Sequence, residues 1–180
     1  MSYRPITDVW ILCRPKVKYY GAYPSGFLGR ARALLGVTAS DPVLHVCSGK
    51  VKDYPYSGFG KYDKTFDIDP ALAPDYLGDA RNLDEWPSFK KWPAILIDPP
   101  YTEKDAEHYA IQDVFPKPNE LLRHAIKRVE VGGKVGMLHY VWPQPPKNAK
   151  EAAVILVAMG RNNRARYFTV FEKLCDEDAK

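Results

Sequence analysis

Short continuous apolar blocks alternate along this chain with stretches in which apolar residues recur every three to four positions. Thr7 to Cys13, Pro42 to Gly49, Lys64 to Pro70, Pro93 to Tyr101 and Lys134 to Val141 read as strands. Each is a run of β-branched and apolar residues, which suits a strand buried on both faces. Pro74 to Leu83 reads as a short strand or turn. Helical spacing appears in Phe27, Leu28, Ala31, Leu34 and Leu35, with Ser25 as the expected N-cap and Gly36 as the stop. It returns in Leu121, Leu122, Ala125, Ile126 and Val129, a helix expected to end at Gly132-Gly133. Thr102 followed by Asp105 is capping-box-like and opens a helix expected through Phe115. Lys50 to Asp63 contains Pro55, Gly58 and Gly60 and predicts a loop. After Lys150, two apolar runs flanking residues 160–163 predict a long hairpin closing the sheet.

Continuous apolar strands separated by helices predict an α/β fold: a mostly parallel sheet with a C-terminal antiparallel hairpin and helices on both faces. Ligands of such sheets collect beyond the carboxyl ends of the strands. The polar strand endings converge there: Ser48-Gly49, Asp67 and Asp69, Asp79, Asp98 to Tyr101, and His139-Tyr140.

Composition narrows the class without choosing a function. With 180 residues, 46% hydrophobic and 27% charged, the chain is expected to form one domain. Residues 1–41 are expected to form an N-terminal strand and helix cap, 42–174 the core and 175–180 a frayed tail, with no separate target-recognition domain expected. No apolar run approaches the roughly 20 residues that span a bilayer, and no secretory leader follows Met1, so a cytoplasmic location is expected. Cys13, Cys47 and Cys175 suggest neither a disulfide framework nor a metal site. A net charge of +4 admits a nucleic-acid partner without demanding one.

The candidate chemistry sits in Asp98-Pro99-Pro100-Tyr101, which ends the strand "AILI". The tetrad offers an anionic acceptor, main-chain carbonyls released from the ladder, and an aromatic face. That combination suits a flat, nitrogen-bearing group.

The order of "VLHVCSG", "FDIDP", "GDARNL", "LIDPPY" and "VGGKVGMLHY" resembles a class I S-adenosylmethionine-dependent methyltransferase over Pro42 to Leu174. "DPPY" is similar to the motif of amino-methyltransferases that modify exocyclic nitrogens, adenine N6 above all. The resemblance implies a Rossmann-like fold, S-adenosylmethionine as cofactor, and Asp98, Pro99, Pro100 and Tyr101 as the catalytic tetrad. Asp98 and the Pro99 carbonyl would accept the two amine hydrogens. Tyr101 would stack on the base, a contact worth about 1–3 kcal/mol. Cofactor residues implied are Tyr23, the turn His45, Cys47, Ser48 and Gly49, Asp67 or Asp69 for the ribose, and Asp79 with Ala80 for the adenine. Lys50 is placed to meet the methionine carboxylate. The turn carries one glycine and no acid where the family shows an acid and G-x-G. Implied substrate contacts are Tyr101, His139, Tyr140, Trp142 and the rim arginines Arg161, Arg164 and Arg166.

DNA adenine N6 is the first substrate implied, with guanine N2 or adenine N6 in RNA, cytosine N4 and a glutamine amide as alternatives. A catalytically silent methyltransferase-fold subunit that binds nucleic acid is the rival from another class. Nucleic acid is the expected partner, with a homodimer or a partner subunit also open.

Overall fold

The computed structural model describes residues 4–15, 17, 21–55, 57–87, 90–109, 115–159 and 165–176. Among the described residues, eight strands form a single sheet: β1 (Ile6–Leu12), β2 (Val43–Val46), β3 (Lys64–Asp67), β4 (Tyr76–Leu77), β5 (Trp92–Ile97), β6 (Val129–His139), β7 (Ala149–Met159) and β8 (Ala165–Lys173). Their spatial order is β1-β7-β8-β6-β5-β2-β3-β4. Every pairing is parallel except the two that β8 makes, with β6 and with β7. The C-terminal hairpin is therefore present, but it does not close the sheet. Its second strand is inserted between β6 and β7, and β1 pairs outside β7, Ile6 opposite Ala153 through Leu12 opposite Met159.

Side-chain alternation along β5 explains the two-sided core. Ala94 and Leu96 point to one face, Ile95 and Ile97 to the other, because successive strand residues face opposite ways. Helix α1 (Phe27–Leu35) lays Phe27, Leu28, Ala31 and Leu35 on the first face, with Leu138, Phe168 and Val170. Helix α3 (Pro118–Arg128) lays Leu121, Leu122, Ala125 and Ile126 on the second, with Val135, Met137 and Phe171.

Three boundaries bear on the sequence expectation, and two of them differ from it. Helix α1 is preceded by Gly26 at a φ of 82°, and no side chain caps it. Ser25 is instead held in a bridge, its amide donating to the Cys13 carbonyl at 3.1 Å. Helix α3 ends at Arg128, not at Gly132-Gly133, because β-branched Val129 already pairs with Trp92 in the ladder. Helix α2 (Glu103–Tyr109) starts as expected: Thr102 Oγ1 accepts from the Asp105 amide at 3.1 Å and donates to its carboxylate at 2.9 Å. Residues 110–114 of that expected helix lie outside the described residues, and its expected last residue, Phe115, is not helical.

The described residues of Lys50 to Asp63 form a loop with one 3₁₀ turn at Val51–Asp53, in keeping with its prolines and glycines. It rests directly on α1. A Cβ at Gly58 would come within 2.4 Å of Leu28 Cβ, and the φ of 128° there also favours glycine. Asp63 anchors the loop end. It accepts from Arg32 Nη1 at 2.8 Å, His45 Nε2 at 3.0 Å, and the amides of Val43 at 2.9 Å and Gly60 at 2.7 Å. Burial pushes its carboxyl up, but these hydrogen bonds outweigh it and hold the group below the usual carboxylate range. No helix among the described residues is long and apolar enough to cross a membrane.

Candidate active site

The parallel strands β2, β3, β4 and β5 end at one edge of the sheet, and their C-terminal turns line a cavity of about 590 Å³. That volume falls within the range of small-molecule sites. Each turn brings an acid or an open backbone. Cys47, Ser48 and Gly49 come from β2, Asp67 from β3, Asp79 and Ala80 from β4, and Asp98 to Tyr101 from β5. Tyr23 closes the wall from the segment before α1. The convergence is topological: parallel strands in register deliver their last residues to one line.

Asp67 is buried and receives the Gly49 amide at 2.9 Å on one oxygen and the Asp69 amide at 3.1 Å on the other. Each carboxylate oxygen keeps a second lone pair for a ligand donor. Ser48 Oγ is buried on the same cavity wall with no partner among the described residues. Asp79 is differently placed. Both of its oxygens accept from Arg81, whose Nε approaches to 2.9 Å and whose amide approaches to 2.9 Å. Arg81 thus occupies the acid expected to receive an adenine amine.

Asp98 lines the cavity at the end of β5. Its amide donates to the Val46 carbonyl at 3.3 Å, so the tetrad begins where the β2–β5 ladder stops. Desolvation raises the carboxyl to about 7, against the opposing pull of Arg166 and the Tyr101 hydroxyl. Tyr101 donates its hydroxyl to Asp98 and accepts from Arg166 Nη1 at 2.9 Å. Burial pushes that hydroxyl well above its ordinary range, so it stays protonated. The ring packs against Tyr140, centroids 4.8 Å apart, and edge-on against His139 at 5.4 Å.

Several residues expected at the site are placed differently from the expectation. His45 turns away from the cavity onto Asp63 and the Phe59 ring, because its neighbour Val46 takes the opposite sheet face. Asp69 caps the 3₁₀ turn Pro70–Leu72 through the Ala71 amide at 2.8 Å, and of the two acids Asp67 is the one that lines the cavity. His139 sits behind Tyr101, accepts the Val141 amide on Nδ1 at 2.8 Å, and is pushed by burial down to about 4. Trp142 is exposed, donating to Glu151 at 2.6 Å and lying against Tyr167. Arg166 is not on the rim: it is 7% exposed and reaches the tetrad from β8. Arg161 and Arg164 lie outside the described residues.

Arg14, Tyr54, Phe66, Asp105 and Met159 line the cavity without having been singled out in the sequence as ligand residues. Only Asp105 carried a signal, through its capping position, and that signal was a structural one.

No family model matches the sequence, and no curated protein matches it. Solved structures do resemble the fold. TrmN from Thermus thermophilus matches with a TM-score of 0.54 and 20% identity, over 80% of this chain and 48% of TrmN. An rRNA methylase from Streptococcus thermophilus matches with a TM-score of 0.50 and 14% identity, over 81% and 95%. A mutant of MtNAS in complex with S-adenosylmethionine matches with a TM-score of 0.52 and 13% identity, over 83% and 61%. The chain spans about half the length of TrmN. At these identities the likeness establishes the fold, which is the Rossmann-like class I methyltransferase fold.

Proposed function

We propose that this chain transfers a methyl group from S-adenosylmethionine to an exocyclic amine of a nucleobase, adenine N6 in DNA before the others. The observation that carries the reading is the line of Asp67, Ser48 and the tetrad along one cavity at the carboxyl edge of the sheet. The cavity volume of about 590 Å³ suits a nucleoside-sized cofactor beside a flat base. A ribose diol would find the spare lone pairs of Asp67. The unpartnered Ser48 Oγ and the open Gly49 backbone border the same space. One of the similar structures holds S-adenosylmethionine, which supports the choice of cofactor.

That cofactor brings an activated methyl on a sulfonium, so the protein has little bond-breaking to assist. Its task is to orient a poor nucleophile. A base amine is planar because its lone pair is shared with the ring. Asp98 accepting one amine hydrogen favours the pyramidal, nucleophilic form and aims the lone pair. Bound there, the cofactor would supply its methyl carbon to the amine nitrogen, with the thioether sulfur leaving with the electron pair of the old bond. A proton then leaves the nitrogen, and Asp98, raised to about 7, is matched to receive it near neutral pH. Tyr140 and Tyr101 line the same cavity and would border a base held against Asp98.

An RNA base is the second reading, favoured by the rRNA methylase among the similar structures. One experiment tests both. Labelled S-adenosylmethionine is incubated with duplex DNA, single-stranded DNA, ribosomal RNA and total protein, and the labelled product is identified. N6-methyladenine in DNA supports the first reading. A methylated RNA base moves the assignment to RNA. Label in no pool, with no cofactor binding by calorimetry, overturns the transferase reading in favour of a silent nucleic-acid-binding subunit.

A further inference from the structure

Arg166 is a buried cation without an ion-pair partner of its own among the described residues. It is 7% exposed, and no carboxylate oxygen among those residues lies within salt-bridge distance of it. Nη1 donates to the Tyr101 hydroxyl at 2.9 Å, and the guanidinium carbon stands 5.6 Å from the Tyr101 ring centre. Nη2 is buried with no partner among the described residues. A buried charge left like this is costly to stability, and functional sites are where such costs are retained. The Tyr101 hydroxyl in turn donates to Asp98. The chain guanidinium, phenol, carboxylate therefore runs from β8 to the end of β5, linking elements 65 residues apart in sequence.

We propose that Arg166 is the positioning residue of the tetrad: acting through the Tyr101 hydroxyl, it holds Asp98 ionised and oriented as an acceptor. The proposal rests on the transferase reading only for its kinetic consequence. The groups facing Asp98 from other elements are Tyr23 before α1 and Cys47 after β2, both pushed up by burial and so uncharged near neutrality. Asp67, Asp79 and Asp105 of α2 line the same cavity. Arg14, Lys50 and Arg81 also line it, but Arg166 is the cation whose charge opposes the desolvation of Asp98. Nearby carboxylates can only hinder ionisation of Asp98, so the acceptor state depends on Arg166 and on the Tyr101 hydroxyl that it holds.

The test is a direct titration of Asp98 by carboxyl carbon-13 NMR in the intact chain, its signal identified by loss in Asp98→Asn. Wild type is expected to titrate near 7. Arg166→Met should raise the midpoint by about one unit or more, the size of an arginine's effect on a neighbouring carboxyl, and Arg166→Lys should restore part of the shift. Tyr101→Phe, which removes the hydroxyl link while keeping the cation, should raise it as well and guards against a misfolded Arg166→Met. In parallel, the acidic limb of kcat should move up with the same midpoint while cofactor affinity is unchanged. Midpoints that coincide with wild type in folded Arg166→Met and Tyr101→Phe overturn the proposal and leave Arg166 a packing residue. Midpoints that move in a chain transferring no methyl uphold the positioning role and overturn the transferase reading instead.

Discussion

Two carboxylates enclosed by the same sheet have opposite fates. Asp63, at the loop over α1, receives Arg32, His45 and two backbone amides directly, and it is held below the usual carboxylate range. Asp98, at the end of β5, receives only the Tyr101 hydroxyl among described side chains, with Arg166 one bond further off, and it is raised to about 7. Burial pushes both upward; the number of donors decides the outcome. An acid whose oxygens are all spoken for is a fastener. One with unused lone pairs facing a cavity is available to a ligand.

The largest effect that would break this contrast is at Asp98. Asp98→Ala should abolish methyl transfer while leaving cofactor affinity within a few-fold, read by single-turnover labelling and calorimetry. Turnover that survives would place Asp98 among the fasteners. Next comes Asp63. Asp63→Ala leaves the buried Arg32 without its carboxylate, with only the Thr38 and Asp41 carbonyls to receive it, so unfolding free energy should fall by about 3 kcal/mol in a denaturant titration. A loss below about 1 kcal/mol would mean that the loop is held by its packing alone.

The pH dependence separates the two acids by sign. Asp63 has a depressed folded pKa, so its stabilisation is present above the unfolded value of about 3.9 and is lost as pH falls through the lower folded value. Asp98 has a raised folded pKa, so it binds its proton more readily when folded, and stability declines as pH rises from about 4 to about 7. Asp98→Asn should flatten that decline and leave the acid limb below about pH 4 in place; thermal melts from acid to neutral pH would show it. The smallest effect is expected at Asp69. Asp69→Ala should lower stability by about 1 kcal/mol through loss of its cap and leave cofactor affinity unchanged, whereas Asp67→Ala should weaken it about tenfold. Equal effects on affinity would show that the two acids share the ligand.

The sheet was legible because its strands are buried on both faces, and continuous apolar blocks such as "VLHV" and "AILI" have few other uses. Both helix faces were legible for the same reason. Boundaries were less so. The α3 periodicity runs past Arg128 because Val129 satisfies a helical position and a strand position equally, and only the ladder with Trp92 chooses. At the site, a polar residue closing a strand marks the carboxyl edge, which found Ser48, Asp67 and the tetrad. It could not say which way a side chain turns, so His45 and Asp67 looked alike in the sequence while one faces Asp63 and the other the cavity.

The amino-acid order by itself determined the kind of strands, the helices on both faces, and the acid-rich turns at the strand ends, because these follow from local periodicity and turn chemistry. The tertiary structure alone decided that β8 inserts beside β6, and with it that Arg166 leaves the rim for the tetrad. It also decided that Arg81 occupies Asp79 while Asp67 keeps lone pairs to spare. Charge state and availability depend on which donors come within about 3 Å, and distance in space is not written in distance along the chain.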